Sequence, residues 1–363
     1  MKAKRALLIG PFPPPIGGDT VLTLNVSRSG YWREHGIALE CIDTSPGDRV
    51  RVPDERLTPG DVLRGVRVFL EFVVKLPRCG AVLLCANSRF ILTAGLPVIV
   101  WCALFRKAVF VKPFGGLFAR RICRIPRPWR GFAVAVLRRA TYVLPETKAL
   151  ARELVDEAGL RENRLLVLPN FLPDDLIGVK RAPKRFSGKC AFFGQIKREK
   201  GVFDILDALG GAAGTMCDFY GPILDRDREE FLRAISNHSN LSYRGTIEPG
   251  GVSRVAAGYD AVLLPTYHAG EGCPAVVLEA FAAGVPVVAT DWLSLPEIVE
   301  HGVRGFLVPV RSPEEIREAV DRFAADERLY ESMCGKALEY VESFSERAVI
   351  GGILVPLVER ALR

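Results

Sequence analysis

The sequence predicts an α/β chain of two consecutive domains, each a doubly wound parallel sheet with helices on both faces. Three observations lead there. Short, nearly continuous apolar runs such as Arg5–Gly10, Ala81–Ala86 and Ala261–Leu264 recur with helical stretches between them, the pattern of strands buried on both sides. The rhythm breaks at Asn170–Lys189, where Pro173, Gly178, Pro183 and Gly188 stand among charged residues in the composition of a linker. The length of 363 residues, with 49% hydrophobic and 25% charged, is enough for two or three ordinary globular cores.

In chain order, Arg5–Gly10 is the first strand. It feeds the proline-rich loop Pro11–Pro15 and the pair Gly17-Gly18. A helix toward Glu34 follows, with Asp19 or Thr20 expected as its N-cap. Strand, glycine loop, helix is the layout that turns backbone N–H groups toward a phosphate, and equally the start of a plain βα unit. No G-x-G-x-x-G fingerprint is present there. Ala38–Ile42 reads as a strand, Asp61–Leu76 as an amphipathic helix and Ala81–Ala86 as a strand. Phe90–Phe105 is an apolar run of 16 residues interrupted by Gly95 and Pro97. It falls short of the roughly 20 needed to cross a bilayer and predicts a buried helix. The strand Ala108–Lys112 leads into the loop Pro113–Gly116. Helix Trp129–Ala140, strand Tyr142–Leu144, helix Thr147–Ala158 and strand Arg164–Leu168 complete a first domain at residues 1–175.

The second series, residues 176–344, opens with strand Cys190–Phe193, the loop Gly194–Gly201 and helix Val202–Leu209. Strands follow at Cys217–Tyr220, Leu241–Tyr243, Ala261–Leu264, Val287–Ala289 and Gly305–Val308. Helices are expected at Arg226–Ser236, Gly250–Ala257, Pro313–Asp326 and Arg328–Glu342, with a helical turn at Pro296–Glu300. The last stretch, about 345–363, reads as a helix packing back on the first domain. Four glycine-bearing or polar loops follow strands: Gly17-Gly18, Pro113–Gly116, Gly194–Gly201 and Thr266–Cys273. In doubly wound sheets ligands sit at the carboxyl ends of strands, so the expectation is a cleft lined by all four.

The stretch Tyr267–Pro286 carries the most chemistry. Glu271 and Glu279 stand eight residues apart around Gly272-Cys273-Pro274, which reads as a helix start with Pro at the first helical position. The helix Ala275–Ala283 should stop at Gly284. Glu279 then sits inside an almost wholly apolar helix. A carboxylate there is costly unless it accepts hydrogen bonds, and a sugar diol supplies two donors.

Charge and cysteines limit the class. Residues 1–180 carry 28 Lys/Arg and 16 Asp/Glu, while the whole chain has 49 and 42. No acidic residue occurs from Phe72 to Pro145, where 13 basic ones do, ten of them in Arg106–Arg139. With Leu117, Phe118, Ile122, Ile125, Trp129, Phe132, Val134, Val136 and Leu137 interleaved, the segment 104–139 suits an anionic membrane surface, or a solvated face beside a buried helix. No nucleic-acid motif accompanies the charge. Nine cysteines without a C-x-x-C pair read as free thiols of a reducing compartment. The apolar run after MKAKR is too short for a signal peptide. Asp225-Arg226-Asp227 has the D-x-D form of a metal motif, but its place before a helix favours capping, so no metal is expected.

The run AVLLPTYHAGEGCPAVVLEAFAAGVPVVATD with LPEIVEHGVRGFLVP resembles the retaining glycosyltransferases of the GT-B fold, family 4, the group 1 glycosyltransferases. Its E-x7-E element stands here as Glu271 and Glu279. Lys200-Gly201, Pro169-Asn170 and Gly17-Gly18 match further motifs, densely from about 189 to 310 and sparsely before. The resemblance implies an enzyme that moves a sugar from a nucleotide-diphosphate sugar to an acceptor hydroxyl, needing no cofactor beyond that donor. The first domain would bind the acceptor and the second the donor. It implies that Glu279 holds ribose hydroxyls, Glu271 contacts the transferred sugar and Lys200 neutralises the diphosphate. Gly17, Gly18, Gly194, Gln195, Arg198, Gly272, Cys273 and Pro274 would line the donor site. Lys112, Gly115, Gly116 and His268 are further substrate contacts. Gln195 stands where the family carries arginine, and Lys112–Gly116 lacks the family's loop histidine. A lipid-linked or cell-surface glycan precursor is the expected acceptor, on the inner face of the cell membrane. A nucleotide-sugar epimerase on the same fold, or a non-catalytic nucleotide-sugar or membrane binder, are the other readings.

Overall fold

The computed structural model describes residues 4–45, 58–178, 185–248 and 250–363. The chain divides into two compact units. One comprises residues 1–171 with 346–363; the other comprises 172–345. The middle of the linker expected at Asn170–Lys189, residues 179–184, lies outside the described residues.

The first unit is built on strands β1 (Lys4–Gly10), β2 (Ile37–Asp43), β3 (Ala81–Asn87), β4 (Ala108–Phe114) and β5 (Tyr142–Val143), in the order β2-β1-β3-β4-β5 and all parallel. Its helices are α1 (Gly18–Arg28), α2 (Tyr31–Glu34), α3 (Pro59–Lys75), α4 (Ser88–Phe90), α5 (Leu96–Leu104), α6 (Phe118–Arg124), α7 (Arg127–Leu137) and α8 (Lys148–Asp156). A π-helical stretch, Ile91–Gly95, joins α4 to α5. The expected Phe90–Phe105 helix is therefore continuous but widened before Pro97, whose missing N–H is tolerated at the start of α5. Two apolar layers cover the sheet. One packs α3, α5 and α7 through Val68, Phe72, Ile99, Cys102, Ala133 and Leu137.

The second unit carries β6 (Lys189–Phe193), β7 (Met216–Tyr220), β8 (Leu241–Tyr243), β9 (Ala261–Leu264), β10 (Val287–Thr290) and β11 (Gly305–Val308), in the order β11-β10-β9-β6-β7-β8. All are parallel. Helices α9 (Val202–Leu209), α10 (Asp225–Ser236), α11 (Val252–Ala256), α12 (Ala275–Ala282), α13 (Leu295–Val299), α14 (Pro313–Ala325) and α15 (Glu327–Val341) complete it. The chain then returns to the first unit through a π-helical stretch, Arg347–Leu354, and α16 (Val355–Ala361). Val349, Ile350, Leu354 and Val358 bury against Leu8, Leu22 and Trp32, forming the other apolar layer. Glu359 adds an ion pair with Lys4 and a hydrogen bond with His35 Nδ1, at 3.0 Å each. No helix of the described residues is long and apolar enough to cross a membrane.

Four local expectations need correction. Arg164–Leu168 is not a strand. It runs beside β5 with one bridge, Val143 to Leu165, after a 3-10 turn at Glu162–Arg164. The N-cap of α1 is Gly17, in extended backbone, rather than Asp19 or Thr20. Thr20 sits three residues in, and its hydroxyl accepts the Gly17 N–H at 2.9 Å. Strand β4 continues through Pro113 to Phe114, because Ala86 and Asn87 of β3 extend the pairing. In the basic segment, Phe118, Ile122, Val134, Val136 and Leu137 are core residues, and Leu104, Phe105, Trp129 and Phe132 are the large apolar side chains it exposes.

Candidate active site

Strand β6 lies between β9 and β7, so the chain runs outward on one side through β7 and β8 and on the other through β9, β10 and β11. This is the switch point of a doubly wound sheet, where loops leaving neighbouring strands diverge and a ligand can enter. The loop after β6 and the loop after β9 meet there. The N–H of Tyr267 donates to the Glu199 carbonyl at 2.9 Å. Gly201 has φ of +76°, and a Cβ on it would stand 2.1 Å from the Pro265 carbonyl oxygen. Only glycine permits both that backbone conformation and that approach.

The approach sets Lys200 against Glu271. Lys200 Nζ lies 2.9 Å from Oε1 and 2.7 Å from Oε2 of the carboxylate. The Thr266 hydroxyl donates to Oε2 at 2.8 Å. Glu271 is buried, and burial alone would raise its carboxyl. The Lys200 charge, with the bonds from Lys200 and Thr266, outweighs burial and holds it below the ordinary range. Lys197 is buried beside this pair, its Nζ 3.4 Å from Nδ1 of His268. Burial first, and the neighbouring Lys200 second, lower the Lys197 ammonium. The same burial, with Lys197 and Lys200 next to it, brings the His268 imidazole down to about 4. The ring is therefore neutral at pH 7.

The loop carrying these groups is strapped from the end of β10. Thr290 donates its hydroxyl to the Thr266 carbonyl, and Trp292 Nε1 donates to the His268 carbonyl at 3.0 Å. Ser294 donates to the Gly272 carbonyl. Beyond buried Gly272 and Cys273, Pro274 is the N-cap of α12 rather than its first residue, and Ala275 begins the helix. The helix ends as its glycine predicts. Gly284 has φ of +66°, and Val285 N–H returns to the Ala280 carbonyl at 2.9 Å. Glu279 lies within α12, between buried Leu278 and Ala280, and is itself half-buried. No group among the described residues donates a hydrogen bond to its carboxylate, and burial pushes it up to about 7.

The other candidate residues divide as follows. Gly194 and Gln195 follow β6, in the loop that carries Lys200. The Arg198 side chain is held by Glu230 and lies over the Phe203 ring at 4.1 Å, while its backbone N–H donates to Asp227 at 3.2 Å. That contact corrects the reading of Asp225-Arg226-Asp227. The cap of α10 is Leu224, and Asp227 instead anchors the turn leading to Lys200. Gly17, Gly18, Lys112, Gly115 and Gly116 belong to the first unit. The Gly17 N–H is already taken by Thr20. Lys112 is buried in β4 and donates to the Leu168 carbonyl at 2.8 Å, which makes it a structural lysine in this state. Gly115, with φ of +73°, turns the chain toward Glu146. Sequence reasoning missed Thr266, Thr290 and Trp292, which bond the loop by tertiary contacts that no local pattern carries. Lys197 lies in the same loop as Lys200, and its burial is a signal that the fold alone adds.

Residues 187–326 match the family model described as Glycosyl transferases group 1. The chain is 29% identical over 212 residues to an exopolysaccharide phosphotransferase of Streptomyces coelicolor, covering 56% of this chain and 22% of that protein. It is 27% identical over 157 residues to a phosphatidyl-myo-inositol mannosyltransferase of Mycobacterium leprae, covering 43% of this chain and 42% of that protein. The chain thus spans less than half the length of either relative. Among solved structures, Anabaena HepE in complex with UDP superposes with a TM-score of 0.75 at 18% identity, over 98% of this chain and 99% of that one.

Proposed function

We propose, from a segment 187–326 that belongs to the group 1 glycosyltransferases within a GT-B fold, that this chain is a retaining glycosyltransferase using a nucleotide-diphosphate sugar. One observation carries the reading. At the switch point of the second sheet an ammonium, Lys200, is locked onto a buried carboxylate, Glu271, while Glu279 on the adjoining helix has no donor among the described residues. A ribose diol supplies the two donors Glu279 lacks. Lys200 supplies positive charge for a diphosphate, and α12 directs its N-terminus, with Gly272 and Cys273, to the same anion. Glu271 accepts hydroxyls of the sugar being moved.

In the step itself the bond from the anomeric carbon to the diphosphate oxygen breaks and its electron pair stays on that oxygen. The acceptor oxygen bonds the same carbon from the same face, and its proton passes to the departing phosphate. Lys200 stabilises the charge that grows on the diphosphate. Glu271 is engaged by two donors and held ionised, so it serves as a positioning group and an electrostatic partner. A double displacement would instead need a carboxylate free to attack the anomeric carbon. Lysine and helix dipole take the place of a metal, so chelator should leave activity intact. A lipid-linked or cell-surface glycan precursor fits the basic segment 104–139, which we assign to an anionic membrane surface on the cytoplasmic side. The mannosyltransferase relative, named for a phosphatidyl acceptor, points the same way.

A thermal-shift panel of UDP, GDP, ADP and their sugars tests the donor site. Stabilisation by one nucleotide family, abolished by Glu279→Ala, is expected; stabilisation by none overturns the reading. Incubating the stabilising donor without acceptor separates the alternatives, since an epimerase would interconvert the sugar and a transferase would not.

A further inference from the structure

Helix α3 has two apolar faces, and among the described residues only one is packed. Val68, Phe72 and Leu76 at its C-terminal end point into the first unit's core. Beside them Val62, Leu63, Val66, Leu70 and Val74 stand 59%, 72%, 50%, 61% and 71% exposed. At about 100° per residue these five cover an arc of roughly 120° along a helix about 25 Å long. The remaining arc holds Arg64, Arg67, Glu71 and Lys75. Lys75 donates to the Cys41 carbonyl, Arg67 to the Asp43 carbonyl, and Arg64 and Lys75 pair with Asp61 and Glu71. The polar groups thus face β2. A helix facing only water carries polar residues on the arc that is aliphatic here. Five neighbouring branched side chains exceed the scattered apolar residues of ordinary surfaces.

The apolar surface continues across the same side of the sheet. Phe69 of α3 stands edge-on to Trp101 of α5 at 5.6 Å, and Trp101 packs on Phe105 at 5.8 Å. Leu104 and Phe105 are exposed where α5 ends, beside Arg106 and Lys107. Helix α7, packed against α5, exposes Trp129 and Phe132 with Arg124 and Arg127 close by in sequence. Helices α5 and α7 and the loops beside them come from the stretch Phe72–Pro145 that holds no acidic residue, while α3 carries Asp61 and Glu71, each paired with a basic neighbour on its own helix.

We propose that the outer face of α3, α5 and α7 is a lipid-docking surface, in which α3 lies in the plane of an anionic bilayer. Leu63, Val66, Leu70 and Val74 enter the acyl boundary. Phe105, Trp129 and Phe132 sit at headgroup level, and Arg106, Lys107, Arg124 and Arg127 meet the anionic headgroups. The charge decides the occupant. A second copy would set two net-basic faces, each with the Arg106, Lys107, Arg124 and Arg127 charges, against each other, whereas anionic lipid complements both those charges and the aliphatic stripe. The proposal deepens the membrane reading above, moving the inserted element from 104–139 to α3, and it is independent of the sugar chemistry.

The full chain is floated with phosphatidylcholine vesicles and with vesicles that also contain phosphatidylglycerol. The wild type should bind the anionic vesicles and keep part of that binding in high salt. The triple variant Leu63→Glu, Leu70→Glu, Val74→Glu should lose at least about tenfold in partitioning. Arg124→Ser with Arg127→Ser should lose only the preference for anionic lipid. Nucleotide-induced thermal shift, read in parallel, should stay unchanged in all variants; its absence in the wild type counts against the donor reading and leaves the lipid result standing. Quenching of tryptophan fluorescence by brominated lipid, taken as the difference between wild type and Trp129→Phe, reports docking even if the triple variant misfolds. Unchanged partitioning of the triple variant, or no quenching at Trp129, overturns the proposal. A wild-type dimer that the triple variant turns into a monomer overturns it in favour of a second copy.

Discussion

Lys200 Nζ reaches both oxygens of the Glu271 carboxylate, at 2.9 and 2.7 Å, across 71 residues of sequence. The side chains are 18% and 7% exposed, so the pair is largely withdrawn from water. The two partners are therefore interdependent, and removing one leaves the other as an uncompensated buried charge.

Lys200→Met should destabilise the second unit by about 3 kcal/mol at neutral pH. The sign with pH follows from the carboxyl. In the wild type Glu271 lies below its ordinary 4.5, so its stabilisation is present above pH 4.5 and is lost as pH falls below it. Without Lys200, burial dominates and the carboxyl rises, so the variant loses stability as pH rises past 4.5. The gap between the two melting temperatures should open from pH 4 to pH 7, and a gap of constant size would count against the pair. Lys200→Met with Glu271→Gln should recover much of the loss.

Gly201→Ala should cost several kcal/mol, on the order of a buried backbone clash with left-handed strain, because its Cβ meets the Pro265 carbonyl at 2.1 Å. Gly18→Ala is the control. No atom lies within 4 Å of the Cβ it adds, and its φ is not positive. Its melting temperature should hold, whereas KM for the donor should rise if Gly18 approaches the substrate. Equal melting temperatures for both variants would remove the argument that Gly201 sets the approach of the two loops.

These two glycines also show what the sequence discloses. Start and stop signals around Gly284 placed α12, and alternating apolar runs placed most of the strands, because both are local properties of backbone and side chain. The meeting of Lys200 with Glu271 was not legible, since each residue is specified by its own βα loop and the contact arises from the order of parallel strands. Arg164–Leu168 misled because an apolar run has the same composition whether it pairs along its length or touches β5 at one bridge. In α3 periodicity announced an amphipathic helix, but apolar residues covering about two-thirds of the circumference do not say which arc is packed. Thr290 stands within the run that resembles the family and Trp292 just beyond it, but no local pattern announces their contacts, and only the fold brings them to the Thr266 and His268 carbonyls.

Glu279 predicts pH-dependent nucleoside binding. Its carboxyl titrates at about 7, raised by burial, and ribose hydroxyls donate best to the ionised form. Affinity for an uncharged nucleoside should therefore strengthen from pH 6 to pH 8, by up to about tenfold, and level off above. A nucleoside is the right probe because a diphosphate titrates in the same range. Glu279→Gln should bind more weakly at pH 8 with a flat profile, read by calorimetry. A wild-type profile that is also flat would remove Glu279 from the ribose site.

His268 supplies the last prediction. Its imidazole is lowered to about 4 by burial first and by Lys197 and Lys200 next, while the unfolded chain holds it at its ordinary 6.5. Between those values the unfolded state binds the proton and the folded state does not, so stability is full above pH 6.5 and declines toward pH 4. The decline should be on the order of 3 kcal/mol, and His268→Gln should remove most of it. Lys197→Met should raise the imidazole only part of the way, because burial remains after the neighbouring charge is gone. Carbon-13 shifts of the ring, followed from pH 3 to pH 8, measure this directly. A wild-type midpoint near 6.5 would mean that His268 is neither buried nor crowded by the two lysines, and the packing of the loop after β9 against the loop after β6 would have to be redrawn.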